Sequence, residues 1–227
     1  MIWTAFIPLR GGSKGLPGKN IRQLAGKPLY WHTVNLALAA GAHRVVISTD
    51  IAEIINAKLP PKVEVIQRPN DLCGDHVPMA PVFLHALEEG KIKGAVVLLQ
   101  ATSPLRSVID VKMALQLLMK GDFDLVLSVS EADRSVLKWG GLEGSRFVPL
   151  AHAEYCFANR QCLPAIYRPN GAVCAMQAEW FVGQKSFVSD SIGSIVMPVE
   201  RSYDIDDLED FKRCEALFSN CVNSGEF

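Results

Sequence analysis

A glycine-rich turn that carries three cations is the part of the sequence best suited to do chemistry. The apolar run Trp3–Leu9 leads into residues 10–20, which contain Arg10, Lys14 and Lys19 among four glycines. Glycine permits positive φ and lets backbone N–H groups approach an anion without interference from Cβ. The turn therefore predicts a cradle for a triphosphate, and the alternative is a solvated basic loop between a strand and a helix.

The turn matches neither of two common phosphate-binding motifs. A Walker A loop ending at Gly18-Lys19 would need glycine at Ser13 and a hydroxyl side chain at Asn20. The dinucleotide fingerprint would need glycine at position 10, where Arg10 stands. The sequence therefore predicts a phosphate site outside both classes.

Two aspartates near the end of the chain could hold a metal ion. Asp204 and Asp206 are two residues apart, so in an extended segment both carboxylates project from one face. Such a pair suits one Mg²⁺ whose remaining ligands are phosphate oxygens and water. Asp206, followed by Glu209, also fits a helix N-terminus, where acidic side chains are favoured. The residues alone leave both interpretations open.

Composition excludes several classes of protein. Lys and Arg total 23 against 24 Asp and Glu, so the chain lacks the basic excess of a protein that coats nucleic acid. Six cysteines show neither Cys-x-x-Cys pairs nor zinc spacing, which predicts reduced, packing thiols. With no signal-peptide pattern and no long apolar run, we expect a cytoplasmic protein with no membrane association.

Alternating segments predict an α/β fold with a mostly parallel central sheet and helices on both faces. The strands are continuous apolar runs, as expected for a sheet covered on both sides. Predicted strands are Trp3–Leu9, Arg44–Ser48, Val63–Ile66, Ala95–Leu99 and Leu125–Val129, and predicted helices are Pro28–Ala40, Ile51–Lys58, Pro81–Glu89 and Val108–Met119. The length of 227 residues suits one domain, 1–227.

The regular pattern breaks over residues 131–168, which predicts an inserted arm. Regular structure is predicted to return with Gly171–Met176, Ser194–Pro198 and a helix from about Asp207 to Phe218, followed by a polar tail from Ser219.

Polar residues follow four of the predicted strands, where open α/β sheets bind their ligands. Besides the first turn, they are Ser48-Thr-Asp50, Gln67-Arg-Pro69 and Gln100–Arg106. Asp50 and Ser103 are predicted helix caps, whatever else they do. Arg68 and Gln100 are poor capping residues, so we expect them to bind ligand.

Six motifs in register resemble the CMP-sialic acid synthetases (acylneuraminate cytidylyltransferases) and their bacterial relatives that act on other nonulosonic acids. They are Arg10–Asn20, Ser48–Asp50, Arg68-Pro69, Leu99–Arg106, Arg168–Ala172 and Asp204–Asp206. The resemblance spans nearly the whole chain. It implies a Rossmann-like nucleotidyltransferase fold, CTP and Mg²⁺ as partners, and a homodimer in which the arm reaches over the neighbouring subunit's site.

The resemblance also implies a role for each matching residue. Arg10, Ser13, Lys14 and Lys19 would hold the triphosphate, with Lys19 closest to the α-phosphate, and Asn20, Arg68 and Gln100 would recognise cytosine and ribose. The acidic sugar would contact Gln100, Ser103, Lys138, Arg160, Gln161, Asn170 and Gly171. Asp204 and Asp206 would hold Mg²⁺, and the catalytic set would be Arg10, Lys14, Lys19 and Asp206.

Three positions depart from the family pattern. Ala101 replaces a usual proline, Met79 stands near where a serine often faces the nucleotide, and Cys174 replaces a common aromatic residue. The resulting prediction is transfer of CMP from CTP to the anomeric hydroxyl of N-acetylneuraminate or a close relative, with release of pyrophosphate. The alternatives are another acceptor (legionaminate, 3-deoxy-manno-octulosonate or a polyol phosphate) and a non-catalytic nucleotide-binding protein.

Overall fold

A seven-stranded sheet forms the centre of the computed structural model, which describes the backbone of residues 1–224 and the side chains of residues 1–218. Two further pairs of strands, β2 with β3 and β8 with β9, lie outside this sheet. All the strands of the described residues are β1 (Trp3–Leu9), β2 (Gln23–Leu24), β3 (Lys27–Pro28), β4 (Arg44–Thr49), β5 (Val63–Gln67), β6 (Ala95–Leu98), β7 (Leu125–Glu131), β8 (Gly140–Glu143), β9 (Arg146–Pro149), β10 (Tyr167–Gln177) and β11 (Ile192–Val196). The order in the large sheet is β11-β7-β10-β6-β1-β4-β5. Every neighbouring pair is parallel except those of β10, which is antiparallel to β6 and β7.

Helices cover both faces of the sheet, which confirms the predicted fold class. They are α1 (Leu29–Ala39), α2 (Ala52–Ile55), α3 (Met79–Glu89), α4 (Val108–Leu118), α5 (Ala178–Gln184) and α6 (Leu208–Ser224). Ile7 packs in the core formed with α1 and α4, whereas its neighbour Phe6 packs against Phe83 of α3 on the opposite face. The continuous apolar run of β1 thus reflects burial on both sides.

Three predicted element boundaries were wrong by more than two residues, and several others differ by one or two. The helix predicted over Ile51–Lys58 is only α2, and Pro60-Pro61 close behind it disfavour further turns. The C-terminal helix continues through Ser224 instead of giving way to a tail at Ser219, because polar residues extend a helix when no Gly or Pro interrupts them. The strand predicted at Gly171 begins at Tyr167. Helix α5 was not predicted.

The arm predicted at 131–168 occupies residues 132–166, between β7 and β10. It consists of the β8–β9 hairpin and three short 3-10 helices, Arg134–Lys138, Ala153–Phe157 and Arg160–Cys162. Such short turns have no sustained hydrophobic period, which explains the broken pattern in the sequence.

The five cysteines whose side chains are described are free thiols, and Cys221 lies outside the described side chains. Cys214 is buried but Cys162 is exposed, so the predicted packing role does not hold for all of them. No helix within residues 1–224 combines the length and the apolar character needed to cross a bilayer.

Candidate functional site

The carboxyl ends of β1, β5 and β6 border a cavity of about 280 Å³, which we call the first cavity. Eight of the predicted site residues line it, and six of these are Arg10, Ser13, Lys19, Asn20, Arg68 and Gln100. Asp204 and Asp206 line it as well, from the segment before α6. Residues from both ends of the chain therefore meet in one cavity.

The glycine-rich turn is held by contacts with two other segments. Gly11 N donates to Asp50 Oδ1 at 2.8 Å, and Asn20 Nδ2 donates to the carbonyl oxygen of Arg10 at 2.9 Å. A Cβ atom at Gly15 would lie 2.4 Å from the carbonyl oxygen of Asp206, so only glycine permits this approach. The turn is thus fixed against β4 and against the carboxylate segment.

Both predicted helix caps were wrong. Asp50 binds the turn, and the residue at the N-cap of α2 is Ile51. Helix α4 begins after Ser107, which forms a capping box with Asp110. Ser103 is buried and does not line the first cavity. Its hydroxyl has no hydrogen-bond partner among the described residues.

Asp75 holds two of the three cations of the turn. Lys14 Nζ lies 2.6 Å from Asp75 Oδ2, and Arg10 pairs with Asp75 Oδ1. The hydrogen bond from Lys14 keeps the pKa of Asp75 below its usual value, and Arg10 adds to this effect. No pattern in the sequence predicted this contact. One carboxylate therefore bridges these two cations, as a phosphate could.

Lys19 is placed differently from the other two cations. Its ammonium donates to the carbonyl oxygen of Ile205 at 2.8 Å and lies 3.6 Å from Asp206 Oδ1. Its side chain keeps only 15% of its surface exposed, against 78% for Lys14. Lys19 is therefore fixed beside the carboxylate segment.

Arg68 forms a fixed polar end to the first cavity. Its guanidinium is buried, and Nη2 donates to the carbonyl oxygen of Ser48 at 2.9 Å while Nε donates to Ser48 Oγ at 3.3 Å. Burial lowers its pKa. Nearby walls are apolar, formed by Leu72, Val77, Met79 and Val82. Apolar walls with a few fixed polar groups suit a flat heterocycle.

A second cavity of about 530 Å³ shares Gln100, Asp204 and Asp206 with the first. Its other polar side chains are Arg168, Asn170, Ser202, Tyr203, Asp210 and Arg213. Of these only Asn170 was a predicted site residue, although Arg168 belongs to a motif of the resemblance. The two carboxylates thus form part of a wall between two cavities.

Asp207, and not Asp206, caps α6. Asp207 Oδ1 accepts hydrogen bonds from the backbone N–H groups of Glu209 at 2.8 Å and Asp210 at 2.9 Å. The cap interpretation of Asp206 was therefore wrong. Its side chain is 82% exposed and faces both cavities.

The electrostatics at Asp204 favour a cation. Desolvation raises the pKa of Asp204; a hydrogen bond from Thr102 opposes this shift, and the charge of Asp206 adds to it. Within the part of the chain whose side chains are described, no three His, Cys, Asp or Glu residues form a metal site. A metal ion here would need further oxygen ligands from a bound molecule, as Mg²⁺ commonly does.

The predicted sugar-binding residues do not all meet. Asn170 and Gly171 line the second cavity, but Asn170 accepts from Ser128 Oγ at 2.5 Å and donates to Ser202 Oγ at 2.9 Å, so its amide also fixes the loop. The arm residues Lys138, Arg160 and Gln161 line none of the three cavities. Arg160 is 70% exposed and lies 3.2 Å from Asp133.

A third cavity, of about 260 Å³, contains two of the departures from the family pattern. Met79 and Cys174 line it together with apolar residues and Phe187, and it adjoins the other two cavities through Gln100. Burial raises the pKa of Cys174 to about 12, so this thiol is an apolar wall and not a nucleophile.

An α/β sheet with a phosphate-type turn and a carboxylate pair at its carboxyl edge defines a nucleotide-binding protein. The chain belongs to the cytidylyltransferase family, because the model of that family, described as cytidylyltransferase, matches residues 4–177. This confirms the family inferred from the motifs.

Curated relatives within the family act on several acids. The chain is 32% identical over 210 residues to an N-acylneuraminate cytidylyltransferase of Streptococcus agalactiae serotype III, a match that covers 91% of this chain and 51% of the relative. The chain thus spans about half the length of that relative. It is also 32% identical over 227 residues to the CMP-N,N'-diacetyllegionaminic acid synthase of Legionella pneumophila, with 94% of each chain covered.

Solved structures support the same fold. A CMP:2-keto-3-deoxy-manno-octonic acid synthetase complexed with CTP superposes with a TM-score of 0.72 over 97% of this chain and 99% of that one. The sequence identity is 15%, so this likeness shows the fold alone.

Proposed function

We propose that this protein transfers CMP from CTP to the anomeric hydroxyl of a nonulosonic acid and releases pyrophosphate. The observation that carries the proposal is the wall of Gln100, Asp204 and Asp206 shared by two cavities. A transfer reaction needs two substrates side by side with negative charge offset between them. A protein that only bound a nucleotide would have no use for the second cavity.

The first cavity would hold CTP. Cytosine would lie between the apolar wall and Arg68, and Gln100 could both donate to and accept from its polar edge. Arg10, Ser13 and Lys14 would bind the terminal phosphates, with Asp75 giving up its two cations. Lys19, fixed at Ile205, would contact the α-phosphate, where charge develops in the transition state.

The second cavity would hold the acid acceptor. Its anomeric hydroxyl oxygen would form a bond to the α-phosphorus while the bond from that phosphorus to the oxygen bridging the α- and β-phosphates breaks. Pyrophosphate would leave, and the hydroxyl proton would pass to solvent water in the open cavity. Asp204 and Asp206 would hold Mg²⁺, which when bound offsets phosphate charge and lowers the pKa of a coordinated hydroxyl.

The arm supports a homodimer. It exposes large apolar side chains, with Phe157 at 95%, Leu142 at 76% and Leu150 at 72% exposure. Large apolar side chains exposed on one segment favour an interaction site there. A second copy of the chain would cover it, and Lys138, Arg160 and Gln161 would then reach the partner's acceptor. Residues 1–227 would act as one cytidylyltransferase domain, and the free thiols suit the reducing cytoplasm.

Among nonulosonic acids, N,N'-diacetyllegionaminate is the second candidate beside N-acetylneuraminate. The third cavity is mainly apolar, and Cys174 leaves room where the family pattern has an aromatic ring. That space suits an extra acyl or methyl group, and one relative, 32% identical with 94% of each chain covered, is a synthase for this acid.

One assay tests the proposal. Purified protein with CTP and Mg²⁺ is offered N-acetylneuraminate, N,N'-diacetyllegionaminate, 3-deoxy-manno-octulosonate and a polyol phosphate, and pyrophosphate release is measured. We expect turnover with a nonulosonic acid, and much slower turnover when UTP, ATP or GTP replaces CTP. CTP binding without pyrophosphate release for any acid, or turnover of the polyol phosphate alone, would contradict the proposal.

A further inference from the structure

The buried side chain of Arg106 links the segment that contains Gln100 to the segment that contains Ala172. Arg106 is 1% exposed, and its Nη1 donates to the carbonyl oxygens of Gln100 at 2.6 Å and Ala172 at 2.9 Å. Its Nη2 donates to Thr33 Oγ1 of α1 at 2.6 Å. Among the described residues, Nε has no hydrogen-bond partner, and the carboxylates of Asp110 and Asp204 act on the guanidinium through their charge without forming a salt bridge with it. Three neutral oxygens therefore solvate this charge.

Packing alone does not explain an arginine at this position. Removing a charge from water without a directly paired counter-charge costs several kcal/mol, and apolar residues of similar volume often replace buried charges without loss of stability. The cost is visible here because desolvation lowers the pKa of Arg106 to about 9. The hydrogen bonds of the guanidinium must therefore hold its partner segments in place, which an apolar side chain could not do.

Those hydrogen bonds fix Gln100, which among the residues with described side chains is the one that lines all three cavities. Gln100 follows β6, and its side-chain Nε2 lies so close to Gly171 that a Cβ there would be 3.4 Å away. Gly171 also has φ +72°, which favours glycine. Nη1 of Arg106 donates to the backbone carbonyl oxygens of Gln100 and of the residue after Gly171. It therefore sets the distance between Gln100 and Gly171.

We propose that Arg106 is a positioning residue for Gln100, through which nucleotide discrimination and acceptor binding depend on the same buried guanidinium. This rests on the proposed function, in which Gln100 contacts both substrates. Lysine at 106 keeps the charge but cannot reach both carbonyls and Thr33 with one planar group. Gln100 would then move relative to Gly171.

The test compares Arg106→Lys with Thr33→Val, a milder change that removes one partner of Arg106. The readout is the ratio of kcat/KM for CTP to that for UTP, supported by the ratio of their dissociation constants. These ratios do not depend on the fraction of protein that is folded. We expect Arg106→Lys to lower the ratio about tenfold, Thr33→Val less, and Arg106→Lys to have no further effect in a Gln100→Ala background.

Arg44→Lys is the matched control, because Arg44 Nη1 also donates to a backbone carbonyl, that of Gly90 at 2.6 Å, away from the three cavities. It should leave the ratio unchanged. An unchanged ratio in Arg106→Lys with a lower melting temperature would make Arg106 a packing residue and overturn the proposal.

A second measurement needs no turnover. Hydrogen–deuterium exchange should quicken over residues 99–105 and 170–174 in Arg106→Lys but not in α3, and unchanged exchange there would also overturn the proposal. If the wild-type protein binds no CTP, the proposed function fails, and the exchange measurement still decides the role of Arg106.

Discussion

Lys19 Nζ lies 3.6 Å from Asp206 Oδ1, so a cation from the first turn and a carboxylate from near the end of the chain form one pair. The same ammonium donates to the carbonyl oxygen of Ile205 at 2.8 Å. The proposed α-phosphate ligand is therefore positioned by the segment that carries the proposed metal ligands. Neither group can shift without affecting the other.

Lys19→Ala should lower kcat by about 10²-fold or more, because a charge-assisted contact in the transition state is lost. Steady-state pyrophosphate release measures the effect, and circular dichroism checks that the fold is intact. Lys112→Ala, at an exposed position of α4, is the control and should have no effect. Near-normal turnover of Lys19→Ala would remove Lys19 from the site.

Asp206→Asn and Asp207→Ala should separate activity from stability. Loss of the Asp206 carboxylate should raise the Mg²⁺ concentration needed for activity and leave the melting temperature unchanged, since Asp206 caps nothing. Loss of the Asp207 cap should cost about 1 kcal/mol, which lowers the melting temperature by roughly 2–4 °C, with activity kept. Titration with Mg²⁺ and thermal unfolding measure the two effects, and the reverse pattern would restore the cap interpretation of Asp206.

Asp75→Asn should strengthen CTP binding. In the ligand-free protein Asp75 pairs with Arg10 and Lys14, and the incoming phosphates must displace it. Exposed ion pairs contribute little, so KM for CTP should fall only about two- to fivefold. Asp71→Asn, also exposed, is the control. A higher KM in Asp75→Asn would instead mean that Asp75 holds the two cations ready for the phosphates.

Phe157→Ser should weaken association between copies of the chain. Phe157 is 95% exposed on the arm, and its burial in an interface would contribute more than any polar replacement. Light scattering over a concentration series measures the change. Ile109→Ser removes a 66%-exposed apolar side chain from α4 and should leave the oligomeric state as it is. A wild-type protein that stays monomeric at every concentration would rule out the homodimer.

Asp204→Asn should raise the melting temperature at pH 7 while reducing activity. Desolvation raises the pKa of Asp204 in the folded protein above its unfolded value, so the folded state binds this proton more tightly. The resulting stabilisation is complete below the unfolded pKa and is lost as pH rises through the folded pKa. Thermal unfolding of both proteins should therefore differ more at pH 7 than near pH 4. A lower melting temperature of the variant at pH 7 would contradict this sign.

Much of the fold could be predicted because a strand that is buried on both faces forms a continuous apolar run in the sequence. The runs Trp3–Leu9 and Ala95–Leu99 are apolar without alternation, and polar residues follow each of them. Parallel strands bring those polar residues to one edge, so most of the first cavity followed from the sequence. The direction of β10 could not be predicted, because a buried strand has the same apolar pattern whether it is parallel or antiparallel to its neighbours.

Contacts that depend on a single residue position were harder to predict. Asp206 and Asp207 are adjacent acids before a helix, and nothing in their types decides which one caps it. Asp75 reaches Arg10 and Lys14 only because a short loop folds back across the turn. No periodicity encodes such a contact. Arg106 likewise stands in a motif that gives no sign of its burial.

The reversed direction of β10 affects how proteins of this kind can diversify. Tyr167 of β10 lies opposite Glu131 of β7, so residues 132–166 leave the sheet and rejoin it at adjacent points. A chimera that takes this stretch from a relative would keep the strand register on both sides. One contiguous piece of gene can therefore be exchanged between homologues, with the turn of residues 10–20 inherited unchanged.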